Sequence, residues 1–323
     1  MKVGIIGFGR IGMIHFGNVK NLPFVTDISI CDPKSHDVGP SVTQFTKWTT
    51  LIDTVTPDAI IICSPTPTHF DIIEYCCERD IHIFCEKPVD LDLHKIESLQ
   101  AIIKASKIIC QVGFNRRFDP DFSFLKRRLE NDDIGQIQQI TITSRDPGLP
   151  SMDYIASSGG MMMDMTIHDF DMFRFLSNEE ATKVYTSATV LIDPQLKKYT
   201  DVDTATTLIT TASGMTCTIQ NSRSASYGYD QRIEIFGSKG MLSVDNNQEH
   251  RTKLWSSGGK SSSKPLNFFL ERYARSYKLE LASFFDCINN NKDATVTIDD
   301  ALKAAKIARM AMDSIKSGQV VYS

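Results

Sequence analysis

Val3-Gly4-Ile5-Ile6-Gly7-Phe8-Gly9-Arg10-Ile11-Gly12 is an apolar, strand-like run that passes directly into a G-x-G-x-x-G and the start of a helical pattern. Each glycine has its own task in such a turn. Gly7 permits the tight bend, Gly9 lets the backbone approach a pyrophosphate, and Gly12 lets helix and strand pack closely. The helix N-terminus then offers amide donors and a partial positive charge to the phosphates. The spacing alone is weak evidence, because glycine-rich turns also occur as plain loops. Asp32 changes the weighing: it ends the next strand-like run, about twenty residues beyond Gly12, where a carboxylate accepts hydrogen bonds from ribose hydroxyls. An acid there also repels a 2′-phosphate, so NAD is favoured, with Lys34 nearby leaving NADP as a secondary cofactor. Phe8, Arg10 and Ile11 complete the expected dinucleotide contacts of this turn.

Outward from this turn, residues 2–112 alternate β-branched runs with helical stretches, the pattern of a parallel sheet covered by helices. Strands are expected at Val3–Ile6, Ile28–Asp32, Ala59–Cys63, Ile81–Cys85 and Ile108–Val112, and helices at Ile11–Val19, Thr68–Arg79 and Leu93–Ala105. After Gly113 the texture changes. A helix near Asp121–Glu130, a strand near Gln136–Ser144 and a helix opening at Gly159 precede long strands rich in threonine, valine and isoleucine. Thr204–Thr211 and Met215–Asn221 flank a hairpin-type Ser213-Gly214, and consecutive strands without crossover helices imply a mainly antiparallel sheet. Ser256–Pro265 reads as a mobile loop, either a solvated connector or a lid. Helical patterns close the chain at Phe269–Asn289 and Asp299–Ser317. The fold class is therefore α/β: a Rossmann dinucleotide-binding domain over 1–118 and an α+β substrate domain with a large antiparallel sheet over 119–323.

The 323 residues exceed what one core usually accommodates, which agrees with two domains. At 41% hydrophobic and 23% charged residues, with no bilayer-length apolar run, the composition is that of an ordinary soluble protein. Glycines interrupt the N-terminal apolar stretch, so it reads as a first strand and not a signal peptide. A net charge of −4 with interleaved signs argues against nucleic-acid or membrane partners and for a small substrate. The eight cysteines form no CxxC pair and have no histidines at metal-ligand spacing, which points to no metal and to a reducing cytoplasm.

Three further segments carry chemistry. Cys63-Ser64-Pro65-Thr66-Pro67-Thr68-His69 follows the third expected strand at the carboxyl edge of the sheet, where ligands bind, so Ser64, Pro65, Thr66 and His69 are candidate cofactor contacts. His69 reads mainly as a helix-starting residue. Glu86-Lys87-Pro88 follows the next strand at the same edge, so Glu86 and Lys87 are candidate cofactor contacts as well. Lys87 there can donate to a substrate oxygen and favour a developing alkoxide, although a lysine before a turn proline is by default a surface residue. In Gly159–Asp169, Asp164 and His168 are four apart and share a helical face. The neighbouring methionines suggest burial, and a buried Asp/His pair needs a reason.

Through GFGRIG, CSPTPTH, CEKP, GFNRRFD and GGMMMDMTIHDFDMF, the chain resembles the glucose-fructose oxidoreductase, inositol dehydrogenase and MocA superfamily along its whole length. NRRFD (115–119), YGYDQRIEIFGSKG (227–240) and FFLERY (268–273) resemble its inositol 2-dehydrogenase branch. The resemblance implies oxidation of myo-inositol or a close isomer to a ketoinositol, a homotetramer formed through the open sheet face, and a cis peptide before Pro88. It also implies that Lys87, Asp164 and His168 are catalytic and contact the substrate. Asn115, Arg117 and Tyr229 are further substrate positions by motif alone. The mechanism expected is proton removal by His168, oriented by Asp164, with Lys87 on the same oxygen while hydride leaves to the nicotinamide, the two domains bringing these groups together. Another inositol isomer, a sugar or another polyol is the alternative substrate, and a dinucleotide sensor without turnover is the alternative class.

Overall fold

Val3, Ile5 and Ile6 are wholly or almost wholly buried, as are Ala59, Ile60, Ile61 and Ile62. Continuous apolar runs of this kind are stable only as parallel strands covered on both faces. The computed structural model, which describes every residue from Met1 to Ser323, places them so. β1 (Lys2–Ile6), β2 (Asp27–Cys31), β3 (Thr43–Phe45), β4 (Ala59–Ile62), β5 (His82–Glu86) and β6 (Cys110–Gly113) form a parallel sheet in the order β3-β2-β1-β4-β5-β6. Helices α1 (Arg10–Val19), α2 (Trp48–Val55), α3 (His69–Cys77) and α4 (Leu93–Ala105) alternate with them. The strand order reverses between β1 and β4, the point at which such sheets open a crevice for ligands. β3 and α2 were not expected from the sequence. β3 is three residues long with Thr43 and Gln44 exposed, and α2 buries only Leu51 and Ile52, so neither carries a strong apolar period.

The second sheet holds seven strands in the order β12-β11-β7-β10-β9-β8-β15. In chain order the elements are α5 (Pro120–Glu130), β7 (Ile137–Arg145), α6 (Met152–Ser158), a π-helical turn at Met162–Thr166, α7 (Ile167–Ser177), β8 (Ala181–Thr189), β9 (Thr204–Thr211), β10 (Thr216–Ser222), β11 (Asp230–Gly237) and β12 (Gly240–Val244). All pairings are antiparallel except β7 with β10. The alternation of buried and more exposed residues along β9, and along β11 from Gln231 onward, marks one core face and one open face. Asp119 starts α5 by accepting from the N–H of Asp121 and Phe122, with Pro120 at the first helical position. The segment expected as a loop at 256–265 is instead largely a hairpin. β13 (Lys253–Ser256) and β14 (Gly259–Ser262) pair across Ser257-Gly258, with Gly259 at φ +111°. Turn chemistry, and not side-chain period, makes that hairpin.

The chain closes with α8 (Phe269–Arg272), α9 (Ala274–Asn289), α10 (Ile298–Ser317) and β15 (Val321–Tyr322). The chain forms two compact units. The first unit is Met1–Phe118 together with Ser276–Ala305, and the second is Asp119–Arg275 together with Lys306–Ser323. The reason is packing: Leu281, Phe284 and Phe285 of α9 share a core with Val3, Ile5, Ile61 and Phe84. Val112 N–H also donates to Val296 O at 3.0 Å. No helix is long and apolar enough to cross a membrane.

Candidate functional site

The glycine turn is built as its residues require. Gly7 sits at φ +88°, and a Cβ at Gly12 would lie 2.1 Å from Gly7 O, so helix α1 could not approach β1 with any other residue there. Gly9, the residue before α1, has nothing within 4 Å of where a Cβ would lie, which leaves open space at the helix N-terminus beside exposed Arg10 and half-buried Ile11. The Asp32 carboxylate accepts from Phe8 N–H at 2.8 Å and Lys34 N–H at 2.9 Å, with His36 Nε2 3.2 Å away. Burial works to raise its pKa, but the two backbone donors and His36 outweigh it and hold Asp32 below the usual carboxylate range. An ionised acid anchored to the glycine turn, open space at a helix N-terminus and a strand reversal beside it fit a dinucleotide with an unphosphorylated ribose.

His69 begins α3 and is buried. Its Nε2 lies 2.8 Å from Ser64 O and its Nδ1 3.1 Å from Pro88 O, so it ties the loop after β4 to the loop after β5. Burial lowers its pKa in spite of these carbonyls, which suits a neutral ring with a fixed structural task. Ser64 Oγ and Thr68 Oγ1 are 2.6 Å apart and close the same loop around exposed Pro65 and half-buried Thr66. Lys87 is half-buried at the carboxyl edge of the sheet, and the Lys87-Pro88 peptide is cis. Oε1 of Glu86, beside Lys87, lies 2.7 Å from Nε2 of buried His15 on α1.

In the second unit, Asp164 lies inside the π-helical turn and His168 at the start of α7. Such wide turns inside helices recur at functional sites, and the sequence pattern had suggested a regular α-helix. Asp164 Oδ1 accepts from the Tyr154 hydroxyl of α6 at 2.7 Å, while Oδ2 lies 3.6 Å from Nη1 of Arg223. Tyr154 is 48% exposed overall, yet burial at its hydroxyl end, then the Asp164 charge and hydrogen bond, push the phenol well above its ordinary value. It therefore stays a donor. Arg223, just beyond β10, is completely buried between two carboxylates, with Nη2 3.6 Å from Oδ2 of Asp201. Asp201 Oδ1 in turn accepts from Met161 N–H at 2.8 Å, one residue before the π-helical turn. Asp169 does another job. It accepts from Ser144 Oγ at 2.6 Å and Asn221 Nδ2 at 2.8 Å, bolting α7 to the sheet. His168 is the half-buried member of an otherwise buried stretch.

Of the remaining expected positions, Asn115 is buried in the short 3₁₀ turn after β6, and Arg117 pairs with Asp300 at 3.0 Å. Tyr229 is buried and packs edge-on against Tyr273, ring centroids 6.0 Å apart. Tyr154, Arg223 and Asp201 were not found from the sequence. Their partners lie 10 to 59 residues away along the chain, and no local motif announces them. All eight cysteines are free thiols.

Residues 1–114 match the family described as an oxidoreductase family with an NAD-binding Rossmann fold, and residues 122–243 match the GFO/IDH/MocA C-terminal domain. The chain is 39% identical to the myo-inositol 2-dehydrogenase of Thermotoga maritima, over 99% of this chain and 98% of that protein. It is 33% identical to the scyllo-inositol 2-dehydrogenase (NAD(+)) of Bacillus subtilis, over 99% and 96%. A crystal structure of a probable dehydrogenase from Thermotoga maritima superposes with a TM-score of 0.96 at 39% identity, covering 100% of this chain and 98% of that one.

Proposed function

Because the chain belongs to the GFO/IDH/MocA family of NAD-dependent oxidoreductases, we propose that it oxidises a ring hydroxyl of a cyclic polyol, myo-inositol first, to the corresponding ketone. The observation that carries this reading is the arrangement around Asp164, where a phenol donor and a buried guanidinium hold one carboxylate a helical turn before His168. Bound NAD supplies the hydride acceptor. Its phosphates belong at the Gly7–Gly12 turn and its ribose at Asp32. The residues of the chain do the rest. His168 takes the hydroxyl proton, a task that suits a neutral imidazole, and Asp164 orients the ring. Lys87 donates to the same oxygen as negative charge develops. Asn115, Arg117 and Tyr229 are proposed to line the polyol site; Arg117 and Tyr229 act through the ends of side chains that Asp300 and Tyr273 already hold.

The substrate reading is tested with a panel of myo-, scyllo- and chiro-inositol, hexoses and acyclic polyols, with NAD and NADP, followed at the absorbance of the reduced cofactor. The expected result is highest kcat/KM with myo-inositol and NAD. A sugar or an acyclic polyol surpassing every inositol would overturn it, and no turnover across the panel would favour a dinucleotide sensor.

We also propose a homotetramer in the cytoplasm. Tyr185 and Leu208 face each other across β8 and β9 on the open side of the second sheet, and Phe236 faces Met241 across β11 and β12; all four are exposed. An apolar row of this kind on an otherwise polar sheet face is the mark of an interface. Light scattering on the purified protein checks the mass. The free thiols agree with a reducing compartment.

A further inference from the structure

Under the glycine turn lies a second cluster of titratable groups to which the reaction above gives no part. His15 on α1, Glu86 at the end of β5 and Glu280 on α9 bring their polar atoms within 4.8 Å of one another. His15 and Glu280 are completely buried, and the Glu86 side chain is 13% exposed. Glu86 Oε1 is engaged by His15 Nε2, and the Glu86 carboxylate lies over Gly113 of β6, where a Cβ would come within 3.0 Å of Oε2. Neither carboxyl oxygen of Glu280 accepts a hydrogen bond from any donor. Two ionised carboxylates facing each other here would leave an uncompensated buried charge. The titratable groups around Glu280 are Glu86, His15, the Cys63 thiol beyond β4 and, on its own helix, Tyr277 edge-on to the His15 ring.

We propose that Glu86 and Glu280 share one proton, and that Glu280, as a carboxylic acid, is a positioning residue for Lys87. Its O–H holds the Glu86 carboxylate inward, between His15 and itself, and so fixes the strand end from which Lys87 projects. The anion belongs on Glu86 because His15 Nε2–H already donates to it, and the proton on Glu280 because nothing else there neutralises it. Burial first, and then the Glu86 charge, push the Glu280 carboxyl well above the usual range. The same donor set could hold a divalent cation, but a cation would need the His15 Nε2 lone pair, and that nitrogen instead sits at hydrogen-bond distance from Glu86. The acid thereby links three elements: the helix that opens at the phosphate site, the strand that carries the lysine, and a helix supplied by the far end of the chain.

The inference rests on the role proposed for Lys87, so the test has one arm independent of turnover. Thermal unfolding of the full-length protein and of Glu280→Gln is followed from about pH 5 to pH 8. A carboxyl whose folded pKa is raised contributes stability below its unfolded value and loses it as pH rises toward the folded value. The glutamine variant should therefore gain on the parent steadily as pH increases. Parallel curves would overturn the shared proton, and so would a stoichiometric metal in the purified protein by elemental mass spectrometry. In the activity arm, Glu280→Leu should lose about tenfold or more in kcat, as misplacing a reacting group does. Glu280→Gln, which keeps a donor toward Glu86, should recover most of that loss and move the alkaline limb of the kcat profile upward. A leucine variant as active as the parent, or a glutamine variant no better than leucine, would overturn the positioning role. If the parent turns over no polyol, it is the substrate reading that fails, while the unfolding arm still decides the proton.

Discussion

Replacing Arg223 with methionine removes a guanidinium that lies completely buried, 3.6 Å from a carboxylate oxygen of Asp164 and 3.6 Å from one of Asp201. Removing one partner of a buried ion pair costs about 3–5 kcal/mol, because the other charge is left without compensation. The lower end applies here: Asp164 keeps the Tyr154 hydroxyl and Asp201 keeps Met161 N–H. A loss of about 3 kcal/mol corresponds to a fall in melting temperature of roughly 6–12 °C for a unit of this size. Differential scanning fluorimetry of the parent, Arg223→Met and the double variant Arg223→Met/Asp201→Asn reads it directly. The double variant should regain a large part of the loss, since it removes one of the two stranded charges. A shift below about 2 °C, or a double variant no more stable than the single one, would refute the reading of Arg223 as the counter-charge that holds Asp164.

Lys87→Ala, Asp164→Ala and His168→Ala are each expected to leave NAD affinity within about threefold by fluorescence titration while cutting kcat by at least about a hundredfold, the scale set by loss of a positioned acid or base; near-normal rates in all three would remove the site assignment. Gly12→Ala should abolish NAD binding or folding of the first unit, because its methyl group meets Gly7 O at 2.1 Å, and circular dichroism with cofactor titration distinguishes the two. Asp32→Ser should shift the NAD/NADP preference toward NADP in kcat/KM ratios. Since the folded pKa of Asp32 is lowered, its contribution to stability is present above the unfolded value of about 4 and fades as pH falls through the folded one. Acid melts of Asp32→Ser should therefore lose the part of the acid transition that this residue supplies.

The cofactor half was legible because each of its requirements is local. Strand, three glycines, helix and acid lie within the first 32 residues, and the tight bend at Gly7 and the close packing at Gly12 are where their spacing suggested. The strands from β4 to β6 were legible for the same reason, as short, mainly apolar runs. Lys87, Asp164 and His168 stood out as residues, but not the supports of the acid: Tyr154 and Arg223 reach it from α6 and the end of β10, through contacts that no short motif encodes. The hairpin at 253–262 was missed because its strands are exposed on both faces and carry no apolar alternation. Which unit α9 joins was not legible, because α9 has the same amphipathic signature whichever sheet it covers; only the packing of Phe284 and Phe285 against β1 and β4 decides it.

That last feature governs how the molecule is made. The ribosome synthesises six parallel strands first, yet the helix that closes their core, with Leu281, Phe284 and Phe285, emerges only after six of the seven strands of the second sheet have been translated. The unit begun first thus waits for a segment near the far end of the chain, and for most of synthesis its apolar underside is uncovered, a state prone to aggregation. A fragment ending at Phe118 should behave as a permanent version of that nascent species, and supplying residues 276–305 on a separate peptide is the direct way to rescue it.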